Sequence, residues 1–287
     1  LEDITGRADQ TTPSEYVSVG VESAPYYHGS GVDGVKCFST DLSGNPIPST
    51  TLLGYLAEGA RTNLCLQSNA FTTAPWLTLG APSFAQNLTG PNGQANYAWT
   101  ITDAEAGQTS SPYEVIAVSA GATYTWSAKV AKAVSKTSFA AISLRHNVEA
   151  TRISAAIVDQ VNGTVYGIPT SGVLVTPVAT SIRSLNDDFW LVSVTATQAG
   201  AILEMYGAVH PAYSTNGTTF DAAAQGSAGF CDTQLELGSF ASSYIPTATI
   251  AVARNADVEA VSTSGNIAAA AGSVYLEYTP THSPSGT

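Results

Sequence analysis

The chain has 287 residues, of which 44% are hydrophobic and only 11% are charged, and its formal net charge is −12. Phosphate binding needs clustered cations, and the sequence has no Lys/Arg cluster, so we expect no nucleic-acid binding. No apolar run approaches the roughly 20 residues that cross a bilayer, so we expect no membrane insertion. Low charge with abundant Gly, Pro, Ser and Thr is typical of short strands and tight turns, which predicts an all-β protein.

Residues 1–54 carry dense turn signals and few alternating runs. The turns include His28-Gly29-Ser30-Gly31 and Ser43-Gly44-Asn45-Pro46, with only brief alternation between them, as in Tyr16 to Val21. With so few alternating apolar residues, this segment cannot form a hydrophobic core of its own. We therefore expect an extended N-terminal arm that docks on the rest of the chain or on a neighbouring subunit.

Residues 55–260 show repeated strand patterns separated by turns. The runs Thr123 to Val130 and Phe189 to Thr197 alternate apolar and polar residues, which predicts strands with one buried face. Asn162-Gly163 predicts a hairpin, because this pair tolerates the positive φ angles of a type I′ turn. No segment carries a convincing helical pattern, so we expect a β-sandwich. The aromatic residues expected in its core are Trp76, Trp126 and Trp190.

Residues 261–287 are predicted to be a linker and the first strand of a following β-domain. The linker is Ser262 to Asn266, and the strand is Gly272 to Thr279. The chain begins at Leu1 without Met and stops shortly after this strand. We therefore expect the natural protein to extend beyond Leu1 and Thr287.

The three cysteines, Cys37, Cys65 and Cys231, share no metal-ligand spacing. The favoured interpretation is buried free thiols in a protein that folds in a reducing cytosol. A Cys65–Cys231 disulfide stays open as an alternative if the chain segments around the two residues pair as neighbouring strands.

Aromatic side chains beside hydrogen-bonding groups suggest glycan binding, because sugar rings stack on flat aromatic faces while polar groups bind their hydroxyls. Two strands offer such groups, and Arg145 is expected to join them. The alternative is that the rings fill the sandwich interior or a subunit interface. The candidate glycan-binding residues are Tyr97, Trp99, Arg145, Glu204, Tyr206 and His210.

The sequence contains little evidence of catalytic activity. A glycosidase needs two carboxylates that converge on one bond, whereas Asp187-Asp188 and Glu204 lie in turn-like or isolated positions. No nucleophile elbow of the Gly-x-Ser-x-Gly type and no Cys/His metal pattern occurs. The sequence therefore predicts a protein that is not an enzyme and has no catalytic cofactor.

Two segments, Glu58 to Leu64 and Gln234 to Thr247, resemble the opening and closing signatures of a sandwich module in bacteriophage and prophage virion proteins. Tyr124 to Val130 and Arg254 to Asp257 extend the resemblance. It implies a non-catalytic virion structural protein, such as a tail fibre, spike or decoration component, assembled in the bacterial cytoplasm. It also implies a homotrimer that contacts other virion proteins and host cell-surface polysaccharide.

The central module also resembles the jelly-roll carbohydrate-binding modules that accompany glycoside hydrolases. This resemblance implies a jelly-roll sandwich and a candidate structural calcium at Asp232. Two alternatives stay open: a carbohydrate-binding module of a larger polysaccharide-degrading enzyme, and a purely architectural coat or decoration protein without ligand. The matching segments are Asn63-Leu64, Trp76, Tyr124 to Ser127, Trp190 to Val194 and Phe230 to Leu235.

Overall fold

The structure is a computed structural model that describes residues 58–146, 153–168, 177–185, 187–198 and 203–256. These ranges contain β-strands and no helix, which confirms the predicted all-β class. Within them, no helix has the length and apolarity that a membrane crossing requires. The arm predicted over 1–54 and the linker and strand predicted over 261–287 lie outside the described residues, so the domain boundaries stay predictions.

Every strand pairing within the two large sheets is antiparallel. The strands in chain order are β1 (Arg61–Asn63), β2 (Leu77–Leu79), β3 (Ser83–Leu88), β4 (Ala98–Asp103), β5 (Ser111–Ala117), β6 (Thr123–Ala131), β7 (Phe139–His146), β8 (Ile153–Asp159), β9 (Thr164–Ile168), β10 (Pro177–Ser184), β11 (Phe189–Thr197), β12 (Glu204–Ser214), β13 (Gly226–Leu237) and β14 (Val252–Arg254).

Two six-stranded sheets pack face to face. The first sheet has the order β10-β11-β6-β13-β4-β3, and the second has the order β2-β5-β12-β7-β8-β9, while β1 pairs with β14. Side chains from the inner faces of both large sheets form one apolar core, with Val130 and Phe230 from the first sheet and Ile142 and Val209 from the second. This packing confirms the β-sandwich, and its jelly-roll connectivity stays a prediction.

The predicted alternation of β6 and β11 is confirmed. Tyr124, Trp126, Ala128 and Val130 of β6 are all buried in the core, and alternate residues of β11 join them. The Trp126 indole donates to the backbone oxygen of Ala208 at 3.0 Å, so its polar atom is satisfied inside the sandwich. The three tryptophans predicted for the core all pack there, and Trp190 is partly exposed.

Gly207 of β12 lets the Trp126 ring lie directly against the backbone of the second sheet. A Cβ atom at this position would lie 2.8 Å from Trp126 Cζ3. The absence of a side chain therefore sets how closely the two sheets approach at the centre of the core.

The predicted hairpin at Asn162-Gly163 is confirmed, because β8 and β9 pair antiparallel on either side of it. Its turn type differs from the expected type I′. Gly163 has positive φ, at 66°, while Asn162 does not. The Asp159 carboxylate accepts the backbone amides of Val161 and Asn162 at 3.1 Å and 3.0 Å, so a side chain organises a longer loop.

The chain divides into two compact units, residues 61–253 and residues 1–60 with 254–287. The first unit contains both large sheets. In the described part of the second unit, the Arg254 guanidinium lies 2.6 Å from the Glu58 carboxylate, and both side chains are largely buried.

Candidate functional site

The two signature segments meet in the folded protein through Asn63. Its Nδ2 donates to the backbone oxygens of Thr233 and Ile245 at 3.3 Å and 2.8 Å. Its Oδ1 accepts the backbone amides of Cys65 and Leu235 at 3.0 Å and 3.1 Å. Asn63 is fully buried, so one side chain joins the beginning and the end of the sandwich.

A buried carboxylate continues this junction. Glu236 accepts the backbone amide and the hydroxyl of Ser242 at 2.6 Å and 2.7 Å, and Gln234 Nε2 at 3.1 Å. Arg61 Nε lies 3.5 Å from it. Burial raises the pKa of Glu236, while these hydrogen bonds and Arg61 act in the opposite direction. We call Arg61, Asn63, Gln234, Glu236 and Ser242 the closing network.

Asp232, the candidate calcium ligand, is already paired with a cation of the protein. Lys129 Nζ lies 2.9 Å from Asp232 Oδ2, and the Tyr97 hydroxyl donates to Asp232 Oδ1 at 2.5 Å. Ca²⁺ takes six to eight oxygen ligands, and the described residues contain no group of three metal-ligating side chains. The contacts around Asp232 therefore do not fit a calcium ion.

Tyr97 and Trp99, predicted to share one face, lie in different side-chain clusters. Trp99 packs against the main core and donates to the backbone oxygen of Asn69 at 3.0 Å. Tyr97 packs against a separate cluster formed by Ala98, Phe189 and Cys231. The expected pairing is wrong, because Asn96 has positive φ and β4 begins only at Ala98. Strand alternation therefore does not extend back to Tyr97.

The centre of the first sheet is covered on its outer face. The hydroxyl of Thr125 on β6 donates to Gly238 O at 2.9 Å, and that of Thr195 on β11 donates to Ser239 O at 3.3 Å. The ring of Tyr244 lies 5.5 Å from Lys129 Nζ. Because the segment after β13 lies over these strands, β6 is buried on both faces rather than on the single face that alternation predicts.

The outer face of the second sheet brings together two candidate residues predicted from separate strands. Arg145 of β7 lies directly opposite Tyr206 of β12 in the strand register. The Arg145 guanidinium carbon lies 4.6 Å from the centre of the Tyr206 ring. On the neighbouring strand β5, the Tyr113 ring lies 5.2 Å from that of Tyr206. All three side chains are half-buried.

His210 and Glu204 occupy alternate positions of the same strand as Tyr206, whose intervening residues Met205 and Val209 point into the core. His210 Nε2 and the Ser143 hydroxyl are 2.8 Å apart. Burial, and secondarily the Arg145 charge, lowers the pKa of His210 to about 3, so its imidazole is neutral at ordinary pH.

We call Tyr113, Arg145, Glu204, Tyr206 and His210 the outer-face patch. It contains four of the six predicted glycan-binding residues. Tyr113 is not among the residues predicted from the sequence. Ile116 of the same strand faces the core, so alternation places Tyr113 and Val115 on the opposite, outer face. No comparable signal in the sequence identifies Ser143, because its role depends on its hydrogen bond to His210 from another strand.

Glu114, the residue after Tyr113, points to the opposite face and is buried. Its carboxylate accepts the Leu66 backbone amide at 3.0 Å and the Cys65 thiol at 3.1 Å. Burial raises its pKa to about 7. Cys65 and Cys231 are both free and buried, which confirms the free-thiol interpretation for these two cysteines and excludes the disulfide alternative. Cys37 lies outside the described residues.

No protein-family model and no curated protein matches this chain. Among solved structures, the chain is similar to the enzymatically active domain of tailspike protein 4 from bacteriophage CBA120, at 10% sequence identity and a TM-score of 0.36. The similar region covers 61% of this chain and 21% of that one.

The comparison corrects one expectation. The sequence predicted a protein that is not an enzyme, whereas the solved structure that it resembles is described as an enzymatically active domain. We therefore withdraw the non-catalytic expectation. A likeness at this identity and TM-score carries no argument about a reaction or a substrate, so no reaction is assigned to this chain.

Proposed function

We propose that the chain is a phage tail-associated virion protein whose sandwich binds host surface glycans through the outer-face patch. The signature segments that resemble virion modules support the virion role. The observation that carries the binding proposal is the aromatic pair Tyr206 and Tyr113, whose ring centres are 5.2 Å apart, with the Arg145 guanidinium carbon 4.6 Å from the Tyr206 ring centre.

This arrangement suits a sugar ring for physical reasons. A half-buried tyrosine offers a large apolar face together with a hydroxyl, and few rotatable bonds must be immobilised when it binds. Contacts with Tyr113 and Arg145 already hold the Tyr206 ring, which lowers the entropic cost of ordering it against a ligand. Arg145 and Glu204 add a donor and an acceptor suited to sugar hydroxyls.

The location on the second sheet also favours binding there. The corresponding surface at the centre of the first sheet is covered by the segment that contains Gly238 and Tyr244. On the second sheet, the half-buried side chains of Tyr113, Arg145 and Tyr206 leave part of the outer face accessible near β5. The same face is buried nearer β8, where Ile157 and Tyr213 pack together, so a ligand would contact the β5 side of the sheet.

The test is a screen of bacterial surface oligosaccharides on an array, followed by calorimetric titration of each glycan retained. Tyr206→Ala is expected to weaken binding about tenfold or more, because aromatic anchors typically contribute over 1 kcal/mol and about 1.4 kcal/mol is a factor of ten. The matched control is Tyr166→Ala, which removes a 38% exposed tyrosine from β9 of the same sheet. Equal affinities for the wild type and both variants would contradict the proposal.

Cleavage is measured in the same mixtures by the appearance of new reducing ends. Release of fragments by the wild type would assign a glycan-degrading activity to the chain. Retention of the glycan without fragments would assign binding alone.

We also propose that the chain assembles as a homotrimer with other virion proteins, as its signature segments imply. Light scattering coupled to size exclusion is expected to give three times the chain mass of 29.5 kDa. A variant that lacks residues 1–54 is expected to dissociate if the arm makes the subunit contacts. A monomeric full chain would contradict the trimer.

A further inference from the structure

We infer that the outer-face patch recognises a glycan that carries an isolated carboxylate, such as one uronic acid per repeat, through Arg145. This inference rests on the proposed glycan binding and names the class of ligand for that site. It depends on two groups of the patch: a cation without a carboxylate partner among the described residues, and a neutral ring that adds no second charge.

The first group is the Arg145 guanidinium. Among the described residues, no carboxylate lies within ion-pair distance of it, and its recorded contact is with the face of Tyr206. A half-buried cation loses hydration that only a good partner restores. A carboxylate is the best-matched partner, because the planar guanidinium presents paired N–H donors to its two oxygens.

The second group is the imidazole of His210. This side chain is only 8% exposed, and its Nδ1 has no hydrogen-bond partner in the described part of the chain. When Nε2 accepts the Ser143 hydroxyl, the neutral ring carries its hydrogen on Nδ1, which becomes a buried donor. This donor is closed off from solvent, and the His210 ring lies 4.8 Å from that of Tyr213. His210 is therefore a buried, uncharged neighbour of Arg145, and Arg145 is the cation that the outer-face patch offers a ligand.

The strand register fixes where the carboxylate of a bound sugar would lie. Arg145 lies opposite Tyr206, and its guanidinium carbon is 4.6 Å from the centre of the Tyr206 ring. A sugar that contacts Tyr206 and Tyr113 therefore brings a carboxylate substituent next to the guanidinium, and Arg145 is assigned to that carboxylate.

The charge of the protein limits how acidic the ligand is. The chain carries a net charge of −12, and Glu204 contributes a negative charge within the outer-face patch. A densely charged polyanion is repelled by such a field. Arg145 can form an ion pair with one carboxylate, so a glycan with few acidic groups fits the patch better than a polyelectrolyte does.

The test compares uronic-acid oligosaccharides with their methyl esters by calorimetric titration against the full chain. The wild type is expected to bind the free acid about tenfold more tightly than the ester, the loss that about 1.4 kcal/mol represents. Arg145→Gln is expected to remove this preference while keeping the affinity for the ester, since Tyr206 and Tyr113 remain. The matched control is Lys132→Gln, which removes another cation that lies 4.1 Å over an aromatic ring, that of Trp190.

The outcomes separate this inference from the proposed function. Equal binding of acid and ester by the wild type, with Tyr206→Ala weakening both, overturns the carboxylate inference and leaves glycan binding standing. An unchanged preference in Arg145→Gln overturns the assignment of Arg145. Binding of neither form, with no glycan retained in the array screen, contradicts the proposed function itself. Thermal unfolding of each variant confirms that a lost affinity is not a lost fold.

Discussion

The closing network and the outer-face patch both contain polar side chains, but they differ in whether the protein itself provides the partners of those side chains. Asn63 is fully buried, and both its amide nitrogen and its amide oxygen form hydrogen bonds with backbone groups of the two signature segments. In the outer-face patch, Arg145 contacts a ring face, and His210 Nδ1 has no partner among the described residues. Polar groups that the protein satisfies itself hold the fold together, whereas a half-buried cation that meets no carboxylate among the described residues, such as Arg145, is suited to a ligand.

The largest expected effect lies beside the closing network, at the buried ion pair under Tyr244. Lys129→Met leaves the Asp232 carboxylate buried without its cation, so we expect the free energy of unfolding to fall by roughly 3–5 kcal/mol. Urea denaturation measures the change. The control is Lys136→Met, because Lys136 also pairs with an aspartate, at 2.6 Å, but is 19% exposed. Its expected loss is smaller, because the Asp159 carboxylate keeps the hydrogen bonds from the Val161 and Asn162 amides when the lysine is replaced. Equal losses would contradict the distinction.

Glu114, on the buried face of β5, is expected to make the stability of the fold depend on pH. Its folded-state pKa of about 7 exceeds the ordinary value of 4.5, so between these values the folded state binds more protons than the unfolded state. Stability from this group is therefore fully present below about pH 4.5 and is lost as pH rises toward 7. At about 1.4 kcal/mol per pH unit, the loss reaches roughly 3 kcal/mol.

The matching variant is Glu114→Gln, which resembles the protonated carboxyl and cannot ionise. Chemical denaturation at pH 4 and pH 8 is expected to show a smaller pH dependence for the variant than for the wild type. Identical pH dependence in the two proteins would show that Glu114 titrates normally.

Asn63→Ala tests the closing network directly. The substitution leaves buried backbone groups of both signature segments without partners, and a single unsatisfied group costs about 1–3 kcal/mol. We therefore expect a loss of at least roughly 2 kcal/mol in unfolding free energy, with glycan affinity unchanged in the folded fraction. Asn87→Ala is the control, because Asn87 is exposed and bonds a single hydroxyl, that of Thr100. A change in affinity would mean that the two regions are coupled.

Much of the fold follows from the sequence, because alternation is a local signal. It correctly placed Trp126 and Val192 in the core, and Asn162-Gly163 marked a real hairpin. It did not show that Thr125 is also buried, because the covering segment around Gly238 comes from far along the chain. Burial by distant residues leaves no mark in the periodicity of a strand.

The candidate site was predictable only in part for the same reason. Tyr206 and His210 share a strand, so their common face follows from their even spacing. The Arg145–Tyr206 contact depends on the register between β7 and β12, which the sequence does not encode locally. Tyr97 failed as a partner for Trp99 because a single positive φ angle at Asn96 interrupts the strand.

The smallest expected effect concerns the thiols. Cys65 and Cys231 are free and buried, and burial raises the pKa of Cys65 well above its ordinary value. A reductant is therefore expected to leave the thermal unfolding midpoint of the chain unchanged. A lower midpoint in reductant would reveal a disulfide that stabilises the fold.

Ligand binding by the outer-face patch, and not by the closing network, can be tested in one titration. The ¹⁵N-labelled chain is titrated with a glycan retained in the array screen, and backbone amide shifts are followed by nuclear magnetic resonance. We expect the amide signals of Tyr113, Arg145 and Tyr206 to shift with the ligand, while those of Asn63 and Glu236 stay in place. Shifts confined to the closing network, with the outer-face patch unmoved, would contradict this expectation.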